Sequence, residues 1–520
     1  MNIVGNRTLR SLLEHRARSQ PDKTFLVFED AQEEEQTFTY DEFDRLVNRA
    51  ANVLKTLGVK KGDKFNLHLP NCPEFLALWL GGAKIGAVMV PTNPVSTADE
   101  MEYILTHSES VISVAQPDSL ETLKEVRPRC PNVRHLVACR TEQASEGTLM
   151  LTRLLAGASA DLETSELTSS DEAGMIYTSG TTARPKGVLL THANYVYVGE
   201  VVSKHMRISP EDRHLVVLPL FHGNAQYYST MSTLVTGATM VLLERFSASR
   251  YFDQVRRHNA TVASLFAAPM RMLLAQPEKP QDRDNRLRLV IFAQNLTDAQ
   301  FTDWDRRFGA PLCQIYGMTE VPFPMSNPLD YPRKNDSIGM CALGYDAMAV
   351  DEEGWEAPVG VVGQLVVRGE PGVGLMKGYF KNPQATADTI RDGWLQTGDN
   401  VYVDEEGYFH FVDRAKDMIK RSGENVAAGE VERVVCTHPK VFDCSVIGVP
   451  DPIRDEAVAA LVILKEGETA TPDEIIEWCR GRLTKFKVPE FVEFRDSFPR
   501  TSVGKVQKHV LRKEGLRGAR

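Results

Sequence analysis

Apolar and β-branched runs recur along the chain at 64–69, 111–114, 215–218 and 289–292, separated by stretches with helical spacing. Strand-like and helical segments in alternation predict an α/β architecture with largely parallel sheets. Between 40 and 58, Leu46, Ala50 and Val53 return at helical spacing up to Gly58, which predicts a core helix. Around Asp413-Arg414-Ala415-Lys416 the texture changes. Beyond it, 441–449, 457–464 and 491–494 read as strands and 472–483 as a helix, a unit of about a hundred residues. The expected division is a large N-terminal domain at 1–413, with mixed, mainly parallel sheets and helices, and a small α+β domain at 414–520. The chain carries no fixed-period repeat, low-complexity segment or heptad run.

Composition narrows the class. A chain of 520 residues exceeds what one core usually organises, so at least two domains are expected. Its 42% hydrophobic and 25% charged residues are those of an ordinary globular protein. A net charge of −10 argues against a nucleic-acid surface, which needs clustered Lys and Arg. The 8 cysteines form no CxxC pair and no metal-ligand spacing, so they read as reduced thiols of a cytoplasmic protein. No window approaches a membrane span, and Arg7, Arg10 and Glu14 stand where a secretory signal needs an apolar stretch.

The first chemistry-bearing segment follows the apolar run at 174–177. Thr178, Ser179, Gly180, Thr181 and Thr182 lead through Ala183-Arg184-Pro185 to Lys186 and Gly187. Glycines let backbone N–H groups close on an anion, hydroxyls donate to its oxygens, and Lys186 supplies a point charge. The segment reads as a cradle for a nucleotide triphosphate, with a polar turn between two strands as the plain alternative. The phosphate loop of common NTPases ends Gly-Lys-Ser/Thr at a helix start, whereas here proline precedes the lysine and glycine follows it.

Four further segments stand in fixed order: Tyr316-Gly317-Met318-Thr319-Glu320, Trp394-Leu395-Gln396-Thr397-Gly398-Asp399, Arg414 to Gly423 (RAKDMIKRSG), and Pro499-Arg500-Thr501-Ser502-Val503-Gly504-Lys505. With the cradle they resemble the adenylate-forming superfamily of acyl- and aryl-CoA synthetases, luciferases and peptide-synthetase adenylation domains, over nearly the whole chain. The opening MNIVGNRTLRSLL, Leu218-Pro219-Leu220-Phe221-His222 and Gly423-Glu424-Asn425-Val426 resemble the carnitine/crotonobetaine-CoA ligase-like branch. The resemblance implies an ATP- and Mg2+-dependent ligase that activates a small organic acid and passes it to coenzyme A.

Activating a carboxylate with ATP brings two anions together, so cations and fixed donors must surround the α-phosphate. The resemblance gives that role to Lys505 as catalytic lysine. Glu320 suits a Mg2+ ligand, Thr319 a phosphate contact, and Asp399 with Arg414 the ribose, while Tyr316 could stack on adenine or serve as core. His222 would lie between acid and thiol entry. Lys416 would be the hinge and Gly423 would line the thiol tunnel. Phe266, Ala268, Gln294 and Met318 are expected in the acid pocket.

Two departures stand out. Relatives usually carry a Gly-Gly-Ala-Pro-like adenine loop where this chain has Phe292-Ala293-Gln294-Asn295-Leu296. A proline that often precedes the small domain's Glu-x-Glu is also absent, leaving Ala428-Gly429-Glu430-Val431-Glu432. Three other readings compete. An ATP-dependent diazotase would activate nitrite for attack by an aryl amine, a stand-alone adenylation enzyme would load a carrier protein, and a non-catalytic nucleotide sensor would leave Lys505 without a role. The residues do not fix the oligomeric state, and a homodimer is one option.

Overall fold

The fold is that of a computed structural model, described for residues 3–143, 146–178, 184–294, 296–414, 417–421, 424–451, 455–500 and 506–516. Two large sheets carry the N-terminal domain. One has nine strands, with six neighbouring strands (Leu312–Met318, Leu289–Ala293, Val262–Phe266, Arg213–Val216, Thr239–Leu243 and Thr24–Glu29) running parallel. Its edges are antiparallel, formed by Glu35–Thr39 on one side and Val321–Ser326 with Met340–Cys341 on the other. The second has eight strands, parallel from Glu172–Thr178 across to Thr148–Met150 and closed at its other edge by the antiparallel Lys186–Thr191 and Gly378–Tyr379. A third, antiparallel sheet of five strands includes Trp394–Val403 and Phe409–Arg414.

Local sequence explains the elements and where they stop. The helix Tyr40–Thr56 starts in a capping box, in which Thr39 accepts from the Glu42 N–H and Glu42 reaches back to the Thr39 N–H. Its core face is Phe43, Val47, Ala50 and Leu54, with Leu46 half-buried beside it. The apolar run at 215–218 leaves its strand at Val216. Pro219 lacks the N–H a ladder needs, and the Leu218 carbonyl accepts from the Asn71 side chain.

The small C-terminal domain has five strands. Glu424–Ala427, Met418–Arg421, Asp455–Leu464 and Val441–Asp451 pair antiparallel, and Phe491–Phe494 joins Asp455–Leu464 in parallel. Alternation along these strands builds two separate cores. Cys444, Val446, Val458, Ala460 and Val462 face one side, and Ile447, Ala459 and Leu461 the other. The helix Pro472–Arg480 ends three residues before the sequence suggested, with Gly481 at its C-terminus. The helix Ala428–Cys436 forms without the family's proline, and the Gly429 N–H donates to Asp413 Oδ2 at 3.1 Å. Among the described residues no helix is long and apolar enough to cross a membrane.

Candidate active site

Strands Glu172–Thr178 and Lys186–Thr191 pair with Thr178 opposite Lys186, so the ribbon closes at the expected cradle. Lys186 therefore opens a strand, where the common NTPase lysine opens a helix. Ser179, Gly180, Thr181 and Thr182 lie outside the described residues, as do Lys416, Gly423 and Lys505. The Lys186 ammonium sits 4.1 Å from the centre of the Tyr379 ring, a cation–π contact. The Tyr379 hydroxyl in turn donates to Glu320 Oε1 at 2.8 Å. Three distant segments thus meet at one carboxylate.

Glu320 is buried in the turn between Leu312–Met318 and Val321–Ser326. Burial pushes its carboxyl above the ordinary range, against the Tyr379 hydrogen bond and the charges of Lys186 and Arg414. A hard oxygen donor held in a low-dielectric turn beside a lysine fits a divalent cation carried in with phosphates.

The second node is Asp399, also buried. Its Oδ2 accepts from the Tyr316 hydroxyl at 2.6 Å, and its Oδ1 lies 3.2 Å from Arg414 Nε. Asp399 and Arg414 are direct cross-strand partners, which is why residues fifteen apart share one spot. Burial, then the Asp399 charge, pushes the Tyr316 hydroxyl well above the tyrosine range, so it stays a donor. Tyr316 is thus tied to Asp399 through its hydroxyl, a contact its position at a strand end did not reveal. Gly398 has φ +72°, a conformation few other residues adopt, and it lets the Asp399 N–H donate to Thr397 Oγ1 at 3.1 Å. At Gly317 a Cβ would come within 2.1 Å of the Pro322 carbonyl, so only glycine fits that close strand pair.

The expected pocket residues come together through topology. Strands Arg213–Val216, Val262–Phe266, Leu289–Ala293 and Leu312–Met318 are consecutive parallel neighbours. His222, Phe266 with Ala268, Gln294 and Met318 stand at or just past their carboxyl ends, where open parallel sheets bind ligands. The His222 ring meets the Phe266 ring edge-on at 6.0 Å. Gln294 has φ +79°, a left-handed backbone that costs a side-chain-bearing residue about 1 kcal/mol or more.

Sequence reasoning missed several supports. Buried Asn71 donates to the carbonyls of Leu218 (3.1 Å) and Leu243 (3.0 Å) and accepts from the Leu220 N–H (2.8 Å), fixing the segment that carries His222. The chain then enters a π-helical turn, Ala225–Met231, whose Tyr227 hydroxyl donates to the Thr319 carbonyl at 3.4 Å. Only Tyr379 had a local signal, its Gly-Tyr pair in a glycine-rich stretch.

The chain matches the family model described as AMP-binding enzyme over residues 13–380, and that of the AMP-binding enzyme C-terminal domain over 430–505. It is 40% identical over 518 residues to a crotonobetaine/carnitine–CoA ligase of Salmonella heidelberg, covering 98% of this chain and 100% of that one. The crystal structure of the anthranilate CoA ligase AuaEII in complex with anthranoyl-AMP superposes with a TM-score of 0.90 at 26% identity, over 98% of this chain and 97% of that one. ATP-bound MatB from Rhodopseudomonas palustris gives a TM-score of 0.88 at 30% identity, over 98% and 99%. Acid–CoA ligases among the relatives favour a carboxylate and the coenzyme A thiol over nitrite with an amine, a carrier protein or a silent nucleotide sensor. The chain belongs to the adenylate-forming superfamily of AMP-binding enzymes, in its carnitine/crotonobetaine-CoA ligase-like branch, and is an ATP-dependent, AMP-forming acid–CoA ligase.

Proposed function

We propose that this ligase condenses a small organic acid with ATP at the carboxyl ends of the four neighbouring strands, with nucleotide and acid held by one continuous segment. The carrying observation is the strand Leu312–Met318. Its Tyr316 is bonded to Asp399, and its end delivers Met318, Thr319 and Glu320. In the first step an acid oxygen attacks the α-phosphorus and the bond to pyrophosphate breaks, leaving an acyl-adenylate. In the second, the coenzyme A sulfur attacks the acyl carbon and AMP leaves with the carboxyl oxygen.

The roles follow charge and position. Asp399 and Arg414 take the ribose, and Lys186 with Thr178, Ser179, Gly180, Thr181 and Thr182 takes the phosphates. Glu320 would hold Mg2+, an ion that neutralises the β- and γ-phosphates when bound. Lys505 bridges the acid oxygen and the α-phosphate. Residues 414–520 then swing about Lys416, withdrawing Lys505 and opening the thiol path along Gly423, with His222 between acid and thiol. Free thiols at all eight cysteines support a reducing, cytoplasmic setting.

A pyrophosphate-release screen tests the reading. Aliphatic acids, crotonobetaine, carnitine, anthranilate and nitrite with aminobenzoates are each supplied with and without coenzyme A. Acid-dependent release followed by thioester formation is expected; release that requires nitrite and an amine would replace it with diazotisation.

A further inference from the structure

Asp443 stands between the two domains. It lies in the strand Val441–Asp451, just after an irregularity in the pairing between Val441 and Asp443, where a bulge re-aims a side chain. Its side chain is only 8% exposed. Oδ1 accepts from the Cys444 N–H at 2.9 Å and lies 3.4 Å from Arg271 Nη1. Oδ2 pairs with Arg500 Nη2.

The two arginines belong to different machinery. Arg271 rides on Ala267–Leu274, the helix whose first turn presents Ala268 to the acid pocket. Arg500 pairs with Val506 in an isolated antiparallel bridge, and the Gln507 N–H donates to the Pro499 carbonyl at 2.8 Å. Arg500 therefore stands at the closed base of the segment that carries Lys505. One buried carboxylate connects the acid-pocket helix to the base of the catalytic-lysine segment.

We propose that Asp443 is a positioning residue that registers the small domain on the pocket helix for adenylate formation, a role that rests on Lys505 acting in that step. The pair with Arg500 lies within the small domain and survives a domain rotation, whereas the pair with Arg271 crosses between domains and must break. Arg271 is 24% exposed, so water replaces its partner at small cost, which suits a contact made and released in every turnover.

The experiment uses the full chain, with pyrophosphate release reporting the first half-reaction and thioester formation from supplied acyl-adenylate the second. Arg271→Gln lies outside the small domain and leaves its fold intact. It should slow adenylate formation roughly threefold to fivefold, the scale of losing one partly exposed ion pair. KM for the acid and the transfer step should be unchanged. Asp443→Asn should do the same, and the double variant should be no slower than Asp443→Asn alone. Wild-type adenylation in Arg271→Gln, equal loss in both half-reactions, or additive losses in the double variant would each overturn the role. Lys505→Ala is run beside them. If it leaves adenylation intact, the reading of Lys505 fails; if only Lys505→Ala slows adenylation, the Asp443 role alone fails.

Discussion

The large and small domains of this ligase hold their functional groups by different means. The main apolar core of the large domain runs from Val4 to Phe409 with two smaller clusters beside it, and the carboxylates of Asp399 and Glu320 are set into the domain. Asp399 and Glu320 are buried, each with a tyrosine hydroxyl already bonded to it. The small domain has two thin cores on opposite faces of one sheet, ion pairs within it, and a pair from Asp443 across to Arg271 of the large domain. Lys508 meets Glu432 at 2.9 Å, Arg512 meets Asp417 at 2.9 Å, and Asp443 meets both Arg271 and Arg500. Two buried carboxylates of the large domain are held by packing, whereas the pair that joins the small domain to the helix Ala267–Leu274, Asp443 with Arg271, is held by charge. Packing cannot be undone in each turnover, but partly hydrated ion pairs can.

The largest expected effect separates the two domains by pH. Burial holds His68, His192 and His214 of the large domain down to about 4, each with one ring nitrogen lacking a hydrogen-bond partner. Unfolded histidines take up protons near pH 6.5, so the unfolded state binds more protons between there and about pH 4, and stability falls as pH falls through that window. Three such groups together should remove several kcal/mol. In the small domain burial also lowers His438, but against the charge of Glu474, so fewer histidines there oppose protonation than in the large domain. Hydrogen exchange resolved by region should therefore show the large domain losing protection first between pH 6.5 and 4; parallel loss in both domains would erase this contrast.

Next comes the charge delivered by the small domain. Lys505→Ala should slow adenylate formation by at least about a hundredfold while transfer from preformed adenylate continues, as single-turnover trapping would show. Equal losses in both steps would remove the lysine from the first. Within the large domain, Asp399→Asn should raise KM for ATP roughly tenfold and Tyr316→Phe by less, since a charged acceptor is worth more than one neutral donor. A rise in KM for the acid instead would detach this node from the nucleotide.

The smallest effect tests the cost of preorganisation. Because burial raises the Glu320 carboxyl, its ionised form opposes folding at neutral pH. Glu320→Gln should raise Tm at pH 7 by about 1–2 °C, and the gain should vanish below the ordinary carboxylate range, where both side chains are neutral. Use of ATP with Mg2+ should be lost in the same variant. A fall in Tm at pH 7 would show that the carboxylate's contacts outweigh its burial.

Much of this was legible in the residues. Period-2 and period-3.6 patterning located the strands and the helix Tyr40–Thr56, because side-chain direction alternates with fixed period within one element. The motif order around Thr178, Tyr316, Asp399, Arg414 and Lys505 identified the family, since short segments in fixed order are a signal carried by the chain itself, whatever their contacts. Where a run stopped was less legible: the stretch at 215–218 looked uniformly apolar, yet Pro219 and the Asn71 side chain took Leu218 out of the sheet. Only tertiary structure decided which motif residues touch. Asp399 reaches Tyr316 and Arg414, Glu320 reaches Tyr379, and Asp443 reaches Arg271, because strand register and domain docking set those distances. Such contacts join residues up to 172 positions apart, and no local period carries a signal that far.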